Sequence, residues 1–189
     1  HLADVDLFNL GFGGNALLDP FTARAIRDAP ADLISVKIGI NLVNADLMRL
    51  RAFGPAVHGF LDTIRDGHPS TPLLVVSPIF CPIREATPGP GMFDLEGLAA
   101  GQMKFLASGK PDEIAKGKLT LTVVREQLQA IVERRSKDDA NIHYLDGQML
   151  YGEQDHDRLP LPDRLHPDAE THRLIGERFA SHLKSIWRG

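Results

Sequence analysis

The chain has 189 residues, of which 43% are hydrophobic and 24% charged, and this is the composition of an ordinary globular domain. A formal net charge of −4 and the lack of a basic run argue against nucleic acid or an anionic membrane as a partner. The single cysteine, Cys81, excludes an internal disulfide and a thiolate metal cluster, and the longest apolar runs have the length of strands rather than membrane spans.

The first part of the chain alternates predicted strands with predicted helices. Residues 4–14 alternate in polarity and then end in glycines, which predicts a strand followed by a tight loop. Residues 20–30 predict a short helix, and 32–41 predict a β-branched strand that ends in a glycine turn. Residues 53–69 place their apolar side chains on one helical face, so a second helix is expected there.

The same alternation continues to the end of the chain. Residues 72–80 form a continuous apolar run, which is typical of a strand covered on both faces. A long amphipathic helix is predicted over 119–140, a strand over 141–147, and a final helix from Pro167 onward. Strands that alternate with helices indicate a parallel sheet between helical layers.

One long connection, residues 81–118, interrupts this pattern. It is rich in proline and glycine, and a connection of this length is usually functional or mobile. It nevertheless carries many apolar side chains, namely Met92, Phe93, Leu95, Leu98, Met103, Phe105 and Leu106. We expect the segment to form one wall of a pocket; an oligomer contact or a surface excursion are the alternatives.

Four residues with catalytic potential follow predicted strands. Ligands bind parallel α/β sheets outside the carboxyl ends of the strands, and Gly14, Asn41, Asp163 and His166 are all expected there. A histidine that acts as general base needs a carboxylate on its other ring nitrogen, and Asp163 is suitably placed three residues before His166. Gly14 permits close approach of a backbone N–H, and Asn41 offers an amide, as an oxyanion site requires.

Each of these features also has a purely structural interpretation. Asp163 and His166 fit a capped loop that leads into the last helix, and the glycines before Asn15 and Asn41 fit tight turns. A metal site at His166, Glu170 and His172 is not favoured, because histidines six positions apart on a helix face different directions.

Three short motifs together resemble a known family. NLGFGG (9–14), GIN (39–41) and DRLHP (163–167) are similar to the second, third and fifth blocks of the SGNH hydrolases, also called GDSL esterases and lipases. The blocks occur in the order of that family, and the resemblance spans residues 9–179.

The resemblance implies a fold, a site and a reaction. It implies one domain over residues 1–189 with a three-layer α/β/α, flavodoxin-like fold around a parallel sheet. It implies that Gly14 and Asn41 are oxyanion donors, His166 is the base and Asp163 its orienting partner. The expected activity is hydrolysis of a small-molecule carboxylic ester through an acyl-serine, with neither a cofactor nor a metal.

The chain departs from the family at its first block, which bears the nucleophilic serine and should precede residue 4. Ser35 lies within a predicted strand and Ser77 precedes a proline, so neither has the required setting. The resemblance therefore implies an N-terminally incomplete domain that lacks its central first strand. Segments 4–11 and 32–39 should then run parallel about two strand spacings apart, roughly 9–10 Å. The alternative is a non-catalytic α/β ligand-binding domain without a nucleophile.

Overall fold

Helices and strands alternate along residues 5–186, the part of the chain that the computed structural model describes. In chain order the elements are α1 (Pro20–Asp28), β1 (Ile34–Lys37), α2 (Ile40–Asn44), α3 (Leu50–Gly67), β2 (Leu73–Val76), α4 (Pro82–Glu85), β3 (Gly91–Phe93), α5 (Leu95–Ala99), β4 (Phe105–Ala107), a 3₁₀ turn (Pro111–Lys116), α6 (Leu121–Arg135), β5 (Ile142–Leu145), a second 3₁₀ turn (Gly147–Met149), α7 (Glu153–Arg158) and α8 (Ala169–Ile186). None of these helices combines the length and the apolar character needed to cross a membrane.

Three parallel strands form the main sheet in the order β1-β2-β5. Ile34 lies opposite Leu73, and Leu73 lies opposite Ile142 on its other side. Every residue of the central strand β2 is buried. The prediction of a strand covered on both faces is confirmed.

The two faces of the sheet are covered by different helices. Ile34 and Val36 of β1 point into the larger core, which is built with side chains of α1, α3 and α6. Leu74 and Val76 of β2 point to the opposite face, where Leu183 and other side chains of α8 cover them. The predicted three-layer α/β/α architecture with a parallel sheet is confirmed.

The predicted helices over 20–30, 53–69 and 119–140 and the final helix are present, with ends shifted by a few residues. The second predicted strand, 32–41, is shorter than expected. After β1 the chain turns at Gly39, which has φ of 135°, and enters the short helix α2. Asn41 therefore lies in the first turn of a helix rather than in a loop.

The strand predicted over 4–14 is wrong for residues 5–14, and residue 4 lies outside the described part. Residues 5–12 have no regular secondary structure, and Leu7 and Phe8 expose 83% and 69% of their surface. A strand depends on pairing with a neighbour, and none of the described strands pairs with this segment. The predicted pair of parallel strands, 4–11 and 32–39, is therefore not formed over residues 5–11.

β1 is an edge strand in the described part of the sheet, since it pairs with β2 alone. The backbone N–H and C=O groups on its other edge have no partner strand there, which leaves a template for a further strand. Ser35 and Lys37 are exposed on the α8 side of this edge.

The 81–118 connection is more ordered than its sequence indicates. β3 and β4 form an antiparallel hairpin, in which Phe93 lies opposite Phe105. The guanidinium of Arg84 is fully buried and donates hydrogen bonds to the carbonyls of Pro88 and Leu106. These bonds fasten both sides of the hairpin to α4.

An ion pair between α7 and α8 gives a stability prediction. Arg178 donates to both carboxylate oxygens of Asp155, at 2.5 and 2.9 Å, and this contact holds the pKa of Asp155 below its ordinary value. Asp155→Asn should therefore lower the free energy of unfolding at pH 7 by about 1–3 kcal/mol. The exposed carboxylate of Asp157, on the same helix, provides the control Asp157→Asn, which should change stability by less than about 0.5 kcal/mol.

The sign of the pH dependence follows from the lowered pKa of Asp155. The contribution of this carboxylate is complete above the ordinary carboxyl pKa of about 4 and disappears as the pH falls through the lower folded value. Urea unfolding of both proteins between pH 7 and pH 3 should show the difference shrinking only at the acidic end. A constant difference would contradict this assignment.

Candidate active site

A cavity of about 430 Å³ opens at the carboxyl end of β1, beside the loop that precedes α8. Gly14, Asn41 and His166 all line it, so three of the four predicted site residues share one space. Asp163 lies behind His166 and does not reach the cavity. Further wall residues are Lys37, Val76, Cys81, Ile175 and Phe179.

Asp163 and His166 are joined by a tight turn. The Asp163 Oδ1 atom accepts hydrogen bonds from the backbone N–H groups of Leu165 (2.9 Å) and His166 (2.7 Å). Its Oδ2 atom lies 2.7 Å from His166 Nδ1. Arg164 adopts a left-handed conformation, with φ of 70°, to close the turn. The hydrogen bond predicted between the Asp163 carboxylate and the His166 ring is confirmed.

The hydrogen bonds of this turn keep Asp163 charged. Partial burial acts to raise the pKa of the Asp163 carboxyl, but the bonds from the backbone and ring of His166 and from Leu165 N–H outweigh it and lower the pKa. An ionised Asp163 accepts the Nδ1 proton of His166, which fixes the tautomer and leaves Nε2 as the basic nitrogen. Within residues 5–186 this Nε2 makes no hydrogen bond, and the His166 side chain is 64% exposed.

Asn41 is oriented by a contact with the segment before α1. The backbone N–H of Ala16 donates to Asn41 Oδ1 at 3.0 Å. Because the oxygen is occupied, the amide NH₂ is the group that Asn41 offers to the cavity that it lines. No described residue accepts a hydrogen bond from this NH₂.

Gly14 lies in a turn that the N–H of Asn15 closes by donating to the carbonyl of Phe12 at 3.1 Å. It adopts φ of 73°, a conformation that a residue with a Cβ rarely takes. The same Ala16 contact that orients Asn41 thus fixes this turn near the cavity. A backbone N–H and a side-chain amide are the two kinds of donor that an oxyanion site uses, and Gly14 and Asn41 both line the cavity.

The described residues contain no nucleophile paired with His166. Ser77 is completely buried, where its Oγ accepts from Gly147 N–H at 3.0 Å. Ser35 lines the cavity but lies within β1, six residues before Asn41, and makes no hydrogen bond to His166. Burial raises the pKa of the Cys81 thiol to about 12, so this group does not provide a thiolate at neutral pH.

The wall predicted from residues 81–118 is confirmed only for Cys81, because none of the seven apolar side chains that suggested it lines the cavity. Cys81 lines the cavity, whereas Phe105 contacts His166 outside it, with ring centroids 5.3 Å apart. The Phe105 N–H also donates to the Asp163 carbonyl at 2.9 Å. This backbone contact between distant segments has no signal in the sequence.

Three residues that line the cavity were not predicted to do so, namely Lys37, Ile175 and Phe179. Ile175 and Phe179 belong to the apolar stripe of α8, and that spacing indicates burial without distinguishing a core from a cavity wall. Among residues 5–186, His, Cys, Asp and Glu side chains do not form a group of three or more that could hold a metal ion.

The fold of this chain is similar to that of an acyltransferase and of a putative lipase. Neither a protein-family model nor a curated protein matches the chain. Among solved structures, the salicylyl-acyltransferase SsfX3 from a tetracycline biosynthetic pathway is 29% identical, with a TM-score of 0.68 over 90% of this chain and 42% of that chain. A putative GDSL-like lipase from Bacteroides ovatus is 18% identical, with a TM-score of 0.60 over 92% of this chain and 41% of its own. The chain thus spans about two fifths of each structure.

The turn at Gly39 gives a second stability prediction. A Cβ at Gly39 would lie 2.6 Å from Val124 Cγ1 and 2.7 Å from Pro78 Cγ, and φ of 135° disfavours any side chain. Gly39→Ala should therefore lower the free energy of unfolding by about 2–4 kcal/mol. It should also displace Asn41.

Gly59 provides the matched control for this substitution. It lies on the exposed side of α3, and an added Cβ meets no atom within 4 Å. Gly59→Ala should raise stability by about 0.5–1 kcal/mol, because alanine is the better helix former. Equal effects of the two substitutions in urea unfolding would refute the steric account of Gly39.

Proposed function

We propose that this chain carries most of the active site of a serine-dependent carboxylic ester hydrolase. One observation carries the proposal: His166, which is bonded to Asp163, lines the same cavity as Asn41 and Gly14. A base with a fixed tautomer and a pair of oxyanion donors are the parts that acyl transfer requires. The SGNH resemblance adds the order in which these parts occur along the chain.

In the proposed reaction the acyl group passes through a covalent intermediate. His166 Nε2 takes the proton of a serine hydroxyl while the oxygen attacks the ester carbonyl. The Asn41 NH₂ and the Gly14 N–H stabilise the negative oxygen. The imidazolium, stabilised by Asp163, returns the proton to the alcohol oxygen as the C–O bond breaks. Water then releases the acid by the same route.

The proposal requires a serine that the described residues do not supply. We infer that polypeptide outside these 189 residues pairs with the free edge of β1 and brings the hydroxyl to His166. Two observations support this position. The backbone groups of this edge pair with no strand of residues 5–186, and the cavity extends along the edge from Asn41 towards Ser35. Pairing would satisfy several of these backbone groups, and each new hydrogen bond would contribute about 0.5–1.5 kcal/mol.

A second candidate is transfer of the acyl group to an acceptor hydroxyl rather than to water. The 29% identity to the salicylyl-acyltransferase favours it. Both reactions use the same base and oxyanion donors, and they differ only in the group that attacks the acyl-enzyme. A product analysis with and without added alcohol separates them.

The first test removes the base and one oxyanion donor in the protein produced from its natural start codon. His166→Ala should lower kcat for p-nitrophenyl acetate by about 10²–10⁴, as expected for loss of a general base. Asn41→Ala should lower kcat by about 10²–10³ with the fold unchanged. His58→Ala is the control, because that ring contacts Arg135 at the end of α6 and does not line the cavity, so kcat should stay within twofold.

The competing interpretation, a ligand-binding domain without a nucleophile, makes a different prediction. A fluorophosphonate should label one serine in the unaltered protein and should fail to label the His166→Ala variant. Absence of labelling together with absence of ester turnover would support the binding domain. Turnover that persists unchanged in both variants would exclude His166 and Asn41 from the reaction.

A further inference from the structure

The β3–β4 hairpin presents an exposed apolar surface directly beside His166. Phe93 exposes 48% of its surface, although it is a large aromatic residue. Four further exposed side chains on or beside the hairpin are apolar, namely Met92, Leu95, Leu98 and Met103, and the polar Glu96 and Gln102 are exposed among them. A group of this kind usually marks a surface that binds another molecule.

The hairpin is fixed to the loop that carries His166. The Phe105 N–H donates to the Asp163 carbonyl at 2.9 Å, and Arg164 lies 3.6 Å from the carboxylate of Asp94. The buried guanidinium of Arg84 holds the base of the hairpin. The apolar surface and the His166 ring therefore keep a constant relative position.

Three neighbouring rings lie in sequence, from Phe93 and Phe105 of the hairpin to His166. The centroids of Phe93 and Phe105 are 5.0 Å apart with an interplanar angle of 37°, and the Phe105 and His166 rings meet edge to face at 5.3 Å. His166 lines the cavity, whereas neither phenylalanine does. The imidazole thus stands between the cavity and the two phenylalanines.

This arrangement places the acyl half and the alcohol half of an ester on different sides of the imidazole. The inference rests on the proposed function. His166 must protonate the alcohol oxygen as it leaves, so the alcohol half passes directly beside the imidazole. The acyl half then lies in the cavity, next to Gly14 and Asn41. The alcohol half lies on the hairpin side, where the exposed ring of Phe93 stacks best on a flat apolar group.

We propose that Phe93 and Phe105 form a binding site for the alcohol half of the substrate and select planar, aromatic alcohols. Phe93 is the specificity residue that can be tested, because Phe105 also supports the His166 ring. A small alcohol such as ethanol is too short to cover Phe93 and gains nothing from it.

The test compares two acetate esters that share an acyl group, in the protein produced from its natural start codon. Phe93→Ala should lower kcat/KM for 2-naphthyl acetate about fivefold to tenfold and leave ethyl acetate within twofold, since only the aryl ester stacks. Phe93→Tyr should restore the aryl preference. Leu47→Ala is the matched control, because Leu47 is 49% exposed but lies between α2 and α3.

A binding measurement keeps this inference separate from the proposed function. The Kd of 2-naphthol, followed by its fluorescence, should rise at least fivefold in Phe93→Ala and stay constant in Leu47→Ala, whether or not the protein turns over esters. Equal losses for both esters, or an unchanged Kd for 2-naphthol, would overturn the inference. A concentration-dependent dimer that Phe93→Asp dissociates would instead assign this surface to a second copy of the chain.

Discussion

The turn from Asp163 to His166 is the constraint on which the candidate site depends. One carboxylate oxygen accepts two backbone N–H groups and the other accepts the imidazole, so a single side chain fixes both the turn and the ring. The left-handed conformation of Arg164 costs about 1–2 kcal/mol, and the hydrogen bonds of the turn offset it. Asn41 and Gly14 line the same cavity as an imidazole whose position this turn already fixes.

The sheet brings the other parts to the imidazole. β1 ends at Lys37, and the turn at Gly39 sends the chain into α2 with Asn41 in the first helical turn. Val124 of α6 and Pro78 after β2 pack so closely on Gly39 that only glycine fits there. The position of the Asn41 amide therefore depends on contacts between the sheet and its covering helix, and not on the local sequence alone.

Helices and strands that show a clear hydrophobic pattern within their own residues were predicted correctly. The continuous apolar run of β2 and the periodic faces of α3 and α8 mark buried surfaces, and these elements are present. The convergence of Asn41 and His166 was also predictable, because carboxyl ends of parallel strands share one rim. The catalytic roles of these residues and of Gly14 remain predictions until activity is measured.

The failures of prediction concern interactions between distant segments. Residues 5–12 alternate like a strand, but none of the described strands pairs with them. The five residues of α2 are too few to show a helical period. Phe105 contacts Asp163 and His166 from a hairpin that the buried Arg84 bonds at Leu106, and no composition or spacing reveals these contacts.

The central claim is that Asn41, Gly14 and His166 surround the reacting carbonyl. A crystal structure of the protein, produced from its natural start codon and inactivated with a p-nitrophenyl phosphonate, tests it most directly. We expect a phosphonyl-serine with one phosphonyl oxygen within about 3.2 Å of both Asn41 Nδ2 and Gly14 N, and with His166 Nε2 beside the serine oxygen. A phosphonyl group attached elsewhere, with the cavity between β1 and α8 filled by side chains, would contradict it.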